Sequence, residues 1–318
     1  GRSLIDKALE KVEYISPEEN TASGTSGKIA ARGNYNQLVS YTQLFLALDH
    51  LGLKRKLLEK KGPRGNYIET ALAIIEETPS AFARGRYASL LFSALKGIGL
   101  DKYIFHNSAG KDYLAETLDY VDDQSHFEGD KALTVSPAYR TAYPTLLLLG
   151  SIGTLGRVEY LEYKKDRLAE ARRIMATLSD AAGDDVAKMK GLYWVALSQL
   201  GVLRHEVPDF NAEIERYARE AFSMPREIVP GQPMYVAKTI AYAAETVLLL
   251  GRPDLVTAEA VERWLSFLDL RASGDLTRNE PYNAAFGLTV MSELGLDQAR
   301  RLFLPHPHFQ GRAPLLSF

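Results

Sequence analysis

The sequence predicts an all-α protein, an (α/α)6 toroid of six inner and six outer helices with essentially no β-sheet. Three observations carry that expectation. A unit with an aromatic start, an apolar body and a glycine stop recurs six times, the stops falling at Gly52, Gly99, Gly150, Gly201, Gly251 and Gly295, at intervals of 47, 51, 51, 50 and 44 residues. An internal period of this size marks a repeated supersecondary unit. Segments that are apolar on most faces alternate with segments charged along one face, so the first kind must be wrapped by the second. No stretch alternates apolar and polar residues with the period of two that a half-buried strand requires.

Taken in order, Ser3 to Tyr14 places Leu4, Ile5, Ala8, Leu9 and Val12 at helical spacing, and Ser16 to Gly33 is a polar loop with Pro17, Gly24 and Gly27. Asn34 to Leu51 is apolar on most faces and reads as the first inner helix, buried nearly all round. The alternation then repeats. Outer helices are predicted at Asn66–Glu77, Asp112–Val121, Lys164–Leu178, Asn211–Phe222 and Thr257–Leu270, and inner helices at Phe82–Ile98, Tyr139–Leu149, Val186–Leu200, Tyr235–Leu250 and Tyr282–Leu294. Each inner helix is followed by a glycine, the residue that ends a helix in the left-handed conformation without a Cβ clash. The whole chain, residues 1–318, reads as one toroid domain. Residues 304–318 form an extended tail, because Pro305, Pro307 and Pro314 bar regular helix. An open solenoid of helical pairs is the competing architecture.

Composition narrows the function classes. The chain of 318 residues is 46% hydrophobic and 25% charged with a formal charge of −2, which gives no electrostatic footprint for nucleic acid. There is no cysteine, so thiol catalysis and thiolate metal sites are excluded. No apolar run approaches the roughly 18 residues of a membrane span. The compartment, periplasmic, secreted or cytoplasmic, is left open.

The starts of the inner helices carry a recurring aromatic and polar cluster. In a closed ring these starts converge on one mouth, where positive helix ends favour anionic groups. The substrate-binding candidates are Asn34, Tyr35, Asn36, Arg86, Tyr87, Tyr143, Tyr193, Trp194, Tyr235, Tyr242, Tyr282 and Asn283. Tyrosine suits such a mouth because its ring packs on apolar faces while its hydroxyl hydrogen-bonds. The catalytic candidates are Tyr139, Arg140, Asp122, Asp123, His126, Glu128 and Glu280. The loop from Asp122 to Asp130 combines four carboxylates and a histidine, the material of general acid and base work. Glu245 and Gln43 interrupt otherwise apolar inner helices and are further polar candidates. No metal and no cofactor is implied.

Six inner and six outer helices resemble the toroid shared by six-hairpin glycosidases and polysaccharide lyases, by terpenoid cyclases and protein prenyltransferases, and by linalool dehydratase-isomerase. The resemblance is architectural. The Asp-x-Asp-Asp motif of class II terpene cyclases is missing, with Asp119, Asp122 and Asp123 close in composition but not in spacing. Ala284 to Leu288 followed by Glu293-Leu294-Gly295 looks like a linalool dehydratase-isomerase helix without that family's cysteines.

The resemblance implies a carbohydrate-active enzyme, a lyase or a glycoside hydrolase, acting on a small-molecule or oligosaccharide substrate at the mouth. A lyase would use Asn or Arg to neutralise a uronate and Tyr or His to move the proton, whereas a hydrolase needs a carboxylate pair. An isoprenoid-processing cyclase, hydratase or isomerase with an apolar cavity is one alternative, and a non-catalytic helical-repeat binding scaffold is the other.

Overall fold

The computed structural model describes residues 38, 40–59, 65–123, 125–127, 137–178, 184–223, 234–260 and 262–263, with backbone alone at 137, 184–185 and 234–238. The chain forms two compact units, Gly1–Ile174 and Met175–Phe318. The first holds helices α1 (residues 40–50), α2 (Tyr67–Glu76), α3 (Ala81–Gly97), α4 (Tyr113–Asp122) and α5 (Pro137–Leu155), and α6 (Arg167–Leu178) runs across the boundary. The second holds α7 (Asp184–Gln199), α8 (Phe210–Ser223) and α9 (Met234–Leu249), followed by a helical start at 258–260. Among the described residues there is no strand. The predicted helices at Ser3–Tyr14 and Tyr282–Leu294, and the tail, lie outside the described residues.

Local chemistry starts the outer helices. Asn66 closes a capping box on α2, its Oδ1 accepting from the Ile68 and Glu69 amides at 3.0 Å while Glu69 Oε2 accepts from the Asn66 amide. Asp112 caps α4 through the Ala115 amide and Asp166 caps α6 through the Ala169 amide. Such side-chain acceptors satisfy amides that the first helical turn leaves without partners.

One cap ends every described inner helix. At Gly52, Gly99, Gly156, Gly201 and Gly251 the backbone takes φ between +67° and +74°. The next amide reaches back to the carbonyl of Leu48, Leu95, Ile152, Leu197 or Val247 at 2.7–3.0 Å, and the glycine amide bonds the carbonyl one residue beyond it. This is a Schellman motif written five times, and its reached-back residues are all buried. A Cβ at any of the five glycines would meet nothing within 4 Å, so the left-handed φ alone explains glycine there. After each cap comes a short turn of helix, at Lys56–Glu59, Asp101–Ile104, Val158–Glu162, Leu203–Glu206 or Pro253–Leu255, before the next outer helix.

Within each unit one pair of inner helices, α3 with α5 and α7 with α9, packs in parallel. In the first unit Phe82 meets Tyr139 and Tyr143, Gly85 meets Pro144, and Ser89 Oγ donates to the Leu147 carbonyl at 3.4 Å. In the second, Lys188 meets Tyr242 and Gly191 meets Thr246. Both numbers rise together in each set, which only parallel helices produce. The outer helix α8 runs against α7 in the opposite sense, Phe210 touching Trp194 and Tyr217 donating to the Ala187 carbonyl at 3.1 Å. Glycine permits the closest approaches. A Cβ at Gly85 would lie 2.6 Å from Pro144 Cβ, and one at Gly191 would lie 2.3 Å from Thr246 Oγ1.

Two expectations need correcting. The third inner helix does not stop at Gly150 but runs to Leu155 and is capped at Gly156. Ser151, Ile152 and Leu155 are buried, and that packing outweighs the roughly 1 kcal/mol cost of a glycine inside a helix. Nor are inner helices buried all round: α1 exposes Gln43, Leu46, Ala47 and His50, a helical stripe on which Leu46 is 43% exposed.

The caps and the close approach make separable predictions. Gly201→Ala should lower unfolding free energy by about 1–2 kcal/mol through the left-handed φ, and Gly85→Ala by about 1–3 kcal/mol through overpacking. Gly97→Ala, in a helical and open position, should raise it by about 0.5–1 kcal/mol. Urea midpoints test all three, and loss of stability at Gly97 as large as at Gly201 would remove the conformational role of the cap.

Candidate functional site

The acidic end of α4 is largely engaged in holding the first unit together. Asp122 receives Arg167 through two bonds, Nη2 to Oδ2 at 2.9 Å and Nη1 to Oδ1 at 3.3 Å, and Lys165 approaches it at 2.6 Å. Arg167 is 4% exposed and also donates to the carbonyls of Tyr160 and Tyr163. Asp119 holds Lys164 at 2.7 Å and accepts from the Tyr163 hydroxyl. These contacts tie α4 to the segment that leads into α6. Asp123, by contrast, is exposed, and hydrogen bonds from Ser125 hold its carboxyl below the usual range.

His126 occupies the turn that follows. Its ring lies parallel to Tyr120 with centroids 3.7 Å apart, and its Nδ1 is 2.9 Å from the Tyr120 carbonyl. A carbonyl only accepts, so Nδ1 carries the hydrogen and Nε2 is the nitrogen left for chemistry. Nε2 stands 3.8 Å from the Asp123 carboxylate. The Arg84 guanidinium sits 4.1 Å from the Tyr120 centroid, and two groups this near one centroid take opposite faces of the ring. Tyr120 is thus sandwiched between Arg84 and His126, with its hydroxyl anchored on the Pro79 carbonyl at 2.8 Å. Arg84 is buried, donates to the Glu76 carbonyl, and burial lowers its pKa from the ordinary value.

Beside this sandwich, the first turns of α3 and α5 share an end of the unit and stack their rings. Phe82 and Tyr143 are 5.3 Å apart, as are Tyr139 and Tyr143. Tyr139, Tyr143 and Arg140 are buried at 6–9% exposure, and the two tyrosines pack against each other rather than face open solvent. Tyr87 is buried as well, and that burial pushes its phenol up to about 12 against the pull of Arg86, which is half-buried.

In the second unit Trp194 is buried edge-on against Phe210 and Tyr217, on the side covered by α8, and Tyr193 beside it is also buried. Tyr242 is half-buried and accepts from Lys188 Nζ at 3.1 Å, with the ammonium 4.3 Å from its ring centroid. Glu245 follows one turn later. A groove of about 380 Å³ opens between α8 and the turn and helix from Asp254 to Arg263, with Phe222, Leu255 and Ala260 among its apolar lining and Arg219 and Arg263 among its charged lining.

Of the residues predicted from sequence, the first unit therefore gathers Asp122, Asp123 and His126 at one turn and Tyr139, Arg140 and Tyr143 on α5, while Arg86 and Tyr87 lie on α3. Asn34, Tyr35, Asn36, Glu128, Glu280, Tyr282 and Asn283 lie outside the described residues, as does the side chain of Tyr235. Arg84 falls in the predicted cluster that starts the second inner helix, whereas Tyr120, Arg167 and Lys188 went unpredicted. The available signal for Lys188 was a cation inside a largely apolar inner segment. Among the described residues no three His, Asp or Glu side chains gather as a metal site would need, and no helix is long and apolar enough to cross a membrane. Compared with models of protein families, with curated proteins and with solved structures, the chain matches none.

Two predictions follow from this geometry. Arg167→Met leaves Asp122 without its buried partner and should cost about 3 kcal/mol, whereas Asp123→Asn on the exposed side should stay within about 0.5 kcal/mol; urea unfolding compares them. Tyr87 and Tyr113 are both raised to about 12 chiefly by burial, from an ordinary 10.0. An unfolded tyrosine ionises first, so the stability they contribute is full below pH 10 and is lost as pH rises toward 12. Unfolding midpoints at stepped pH should fall across that window, and Tyr87→Phe should reduce the fall.

Proposed function

We propose that the chain is a carbohydrate-active enzyme of the toroid class, a lyase that cleaves carboxylate-bearing sugars by elimination, with His126 as the group that removes the proton. The observation that carries the reading is the fixed tautomer of His126: Nδ1 is committed to the Tyr120 carbonyl and the ring is held by stacking, which orients Nε2 as a base. In the elimination, the proton on the carbon beside the carboxylate passes to Nε2, the carbon–oxygen bond one carbon further breaks, and a carbon–carbon double bond forms. The leaving oxygen takes up a proton from water. Arg86, half-buried in the second turn of α3, supplies the positive charge that makes the proton acidic.

A hydrolase finds less support among the described carboxylates. It needs one carboxyl kept protonated, whereas Asp122 is held in ion pairs and the Asp123 carboxyl is held low. The isoprenoid reading would need an apolar cavity, whereas the groove beside α8 carries Arg219 and Arg263 in its lining. Closure into a ring is supported by parallel inner helices within each unit and by the recurrence of one cap. A second reading, a non-catalytic helical-repeat scaffold, is favoured by the groove beside α8 and by the burial of the tyrosines meant to line a mouth.

The test is an elimination assay on oligouronides and polyuronides, followed by the ultraviolet absorbance of the unsaturated product. The wild type should turn over at least one of them, and His126→Ala should slow it by about 10²–10⁴-fold with little change in melting. Absence of turnover on all of them sinks the lyase and leaves the scaffold.

A further inference from the structure

We propose that the groove beside α8 in the second unit binds a free α-amino acid with an apolar side chain. The proposal owes nothing to His126 and does not depend on the elimination reading. Its first support is which charges of the groove are left without a partner. The helix α8 carries five charged residues, Glu213, Glu215, Arg216, Arg219 and Glu220. Glu213 holds Lys190 and Arg216, Arg216 reaches Glu220, and Glu215 receives Arg252 at 3.1 Å. Arg219, exposed and lining the groove, enters no ion pair among the described residues. The facing wall repeats the pattern. Arg252 donates to Asp254 through Nη2 at 2.8 Å and Nε at 2.9 Å, which holds that carboxyl below its usual range. Glu259, also exposed and lining the groove, enters no ion pair among the described residues.

The second support is what accompanies these charges. Ala218 and Ala260 are buried, Phe222 and Leu255 are half-buried, and together they give the groove its apolar lining. A volume of about 380 Å³ falls at the small end of ligand sites, which run from about 300 to 1,000 Å³, so the occupant is compact. Arg219 on one wall and Glu259 on the other stand too far apart to pair, and a ligand bearing both charges engages both. The guanidinium fork matches a carboxylate, and the Glu259 carboxylate accepts from an ammonium. The remaining charges cancel: Glu215 and Asp254 share Arg252, and Arg263 in the lining supplies the second positive charge. The groove is therefore neutral as a whole, and an ion of one sign alone would leave one wall unmet. A carboxylate, an ammonium and an apolar group on a compact skeleton describe an α-amino acid such as leucine, its side chain placed on Phe222 and Leu255.

If Arg219 and Glu259 were only solvated surface charges, removing either charge from a ligand would change nothing. The full chain labelled with ¹³C at phenylalanine Cζ reads the groove directly, with the Phe222 resonance identified by its loss in Phe222→Leu. L-leucine should move that resonance saturably. L-leucinamide, which lacks the carboxylate, and N-acetyl-L-leucine, which lacks the ammonium, should each bind at least about tenfold more weakly. Glycine, which lacks the side chain, should also bind about tenfold more weakly. Arg219→Gln and Glu259→Gln fall at exposed positions and leave the fold intact, and each should weaken leucine binding by about tenfold. No saturable movement with leucine, or leucine binding unchanged in either variant, would overturn the site. Leucinamide, N-acetyl-leucine or glycine binding as tightly as leucine would overturn the amino-acid class, and so would tighter binding of the dipeptide leucyl-leucine. No turnover is read, so the outcome is separate from that of the elimination assay.

Discussion

The close parallel approach of neighbouring inner helices is the constraint on which the described structure depends. Where Gly85 faces Pro144 and Gly191 faces Thr246, a single added carbon would collide, so backbone packs on side chain with nothing in between. Helices that near and that parallel bring equivalent turns to the same end. The start of α3 is thereby set beside the start of α5, and Phe82, Tyr139 and Tyr143 form one stack. Pro144 fits this scheme: it cannot donate to the helix, yet its ring fills the hollow that Gly85 leaves.

Charge is divided between holding the fold and leaving something over for chemistry. Arg167 and Lys165 absorb Asp122, and Lys164 with Tyr163 absorbs Asp119. What remains at the end of α4 is an exposed Asp123 and a histidine whose tautomer and orientation are set by a neighbouring carbonyl and ring. A buried cation on the far face of Tyr120 completes the arrangement, and its positive charge reaches that end of the unit through an aromatic ring rather than by direct contact. In the second unit the analogous division leaves Lys190 paired with Glu213, and Lys188 on Tyr242.

Helix type and order were legible because period and capping residues are local signals: Asn66, Asp112 and the glycines announce their roles within three or four residues of themselves. Gly150 misled because a Leu-Gly pair is only a composition, and whether a helix stops there depends on the burial of Ile152 and Leu155 downstream. The candidate site was legible in part. His126 and the α5 tyrosines could be picked out by type and place, but the capture of Asp122 by Arg167 joins residues 45 positions apart, and no spacing rule reveals it. Trp194 illustrates the same limit. It is buried because α8 folds back over it, a fact of tertiary packing that its neighbours in sequence do not carry.

The five caps also bear on how such a chain could change over evolutionary time. Each is complete within six residues, from the reached-back carbonyl to the amide that bonds it, and needs nothing from the outer helix that follows. The stretch between cap and outer helix can therefore grow or shrink without disturbing the end of the inner helix. Repeats of unequal length can share one architecture, and new loops with new recognition properties can be tried at that edge while the packed helices stay as they are.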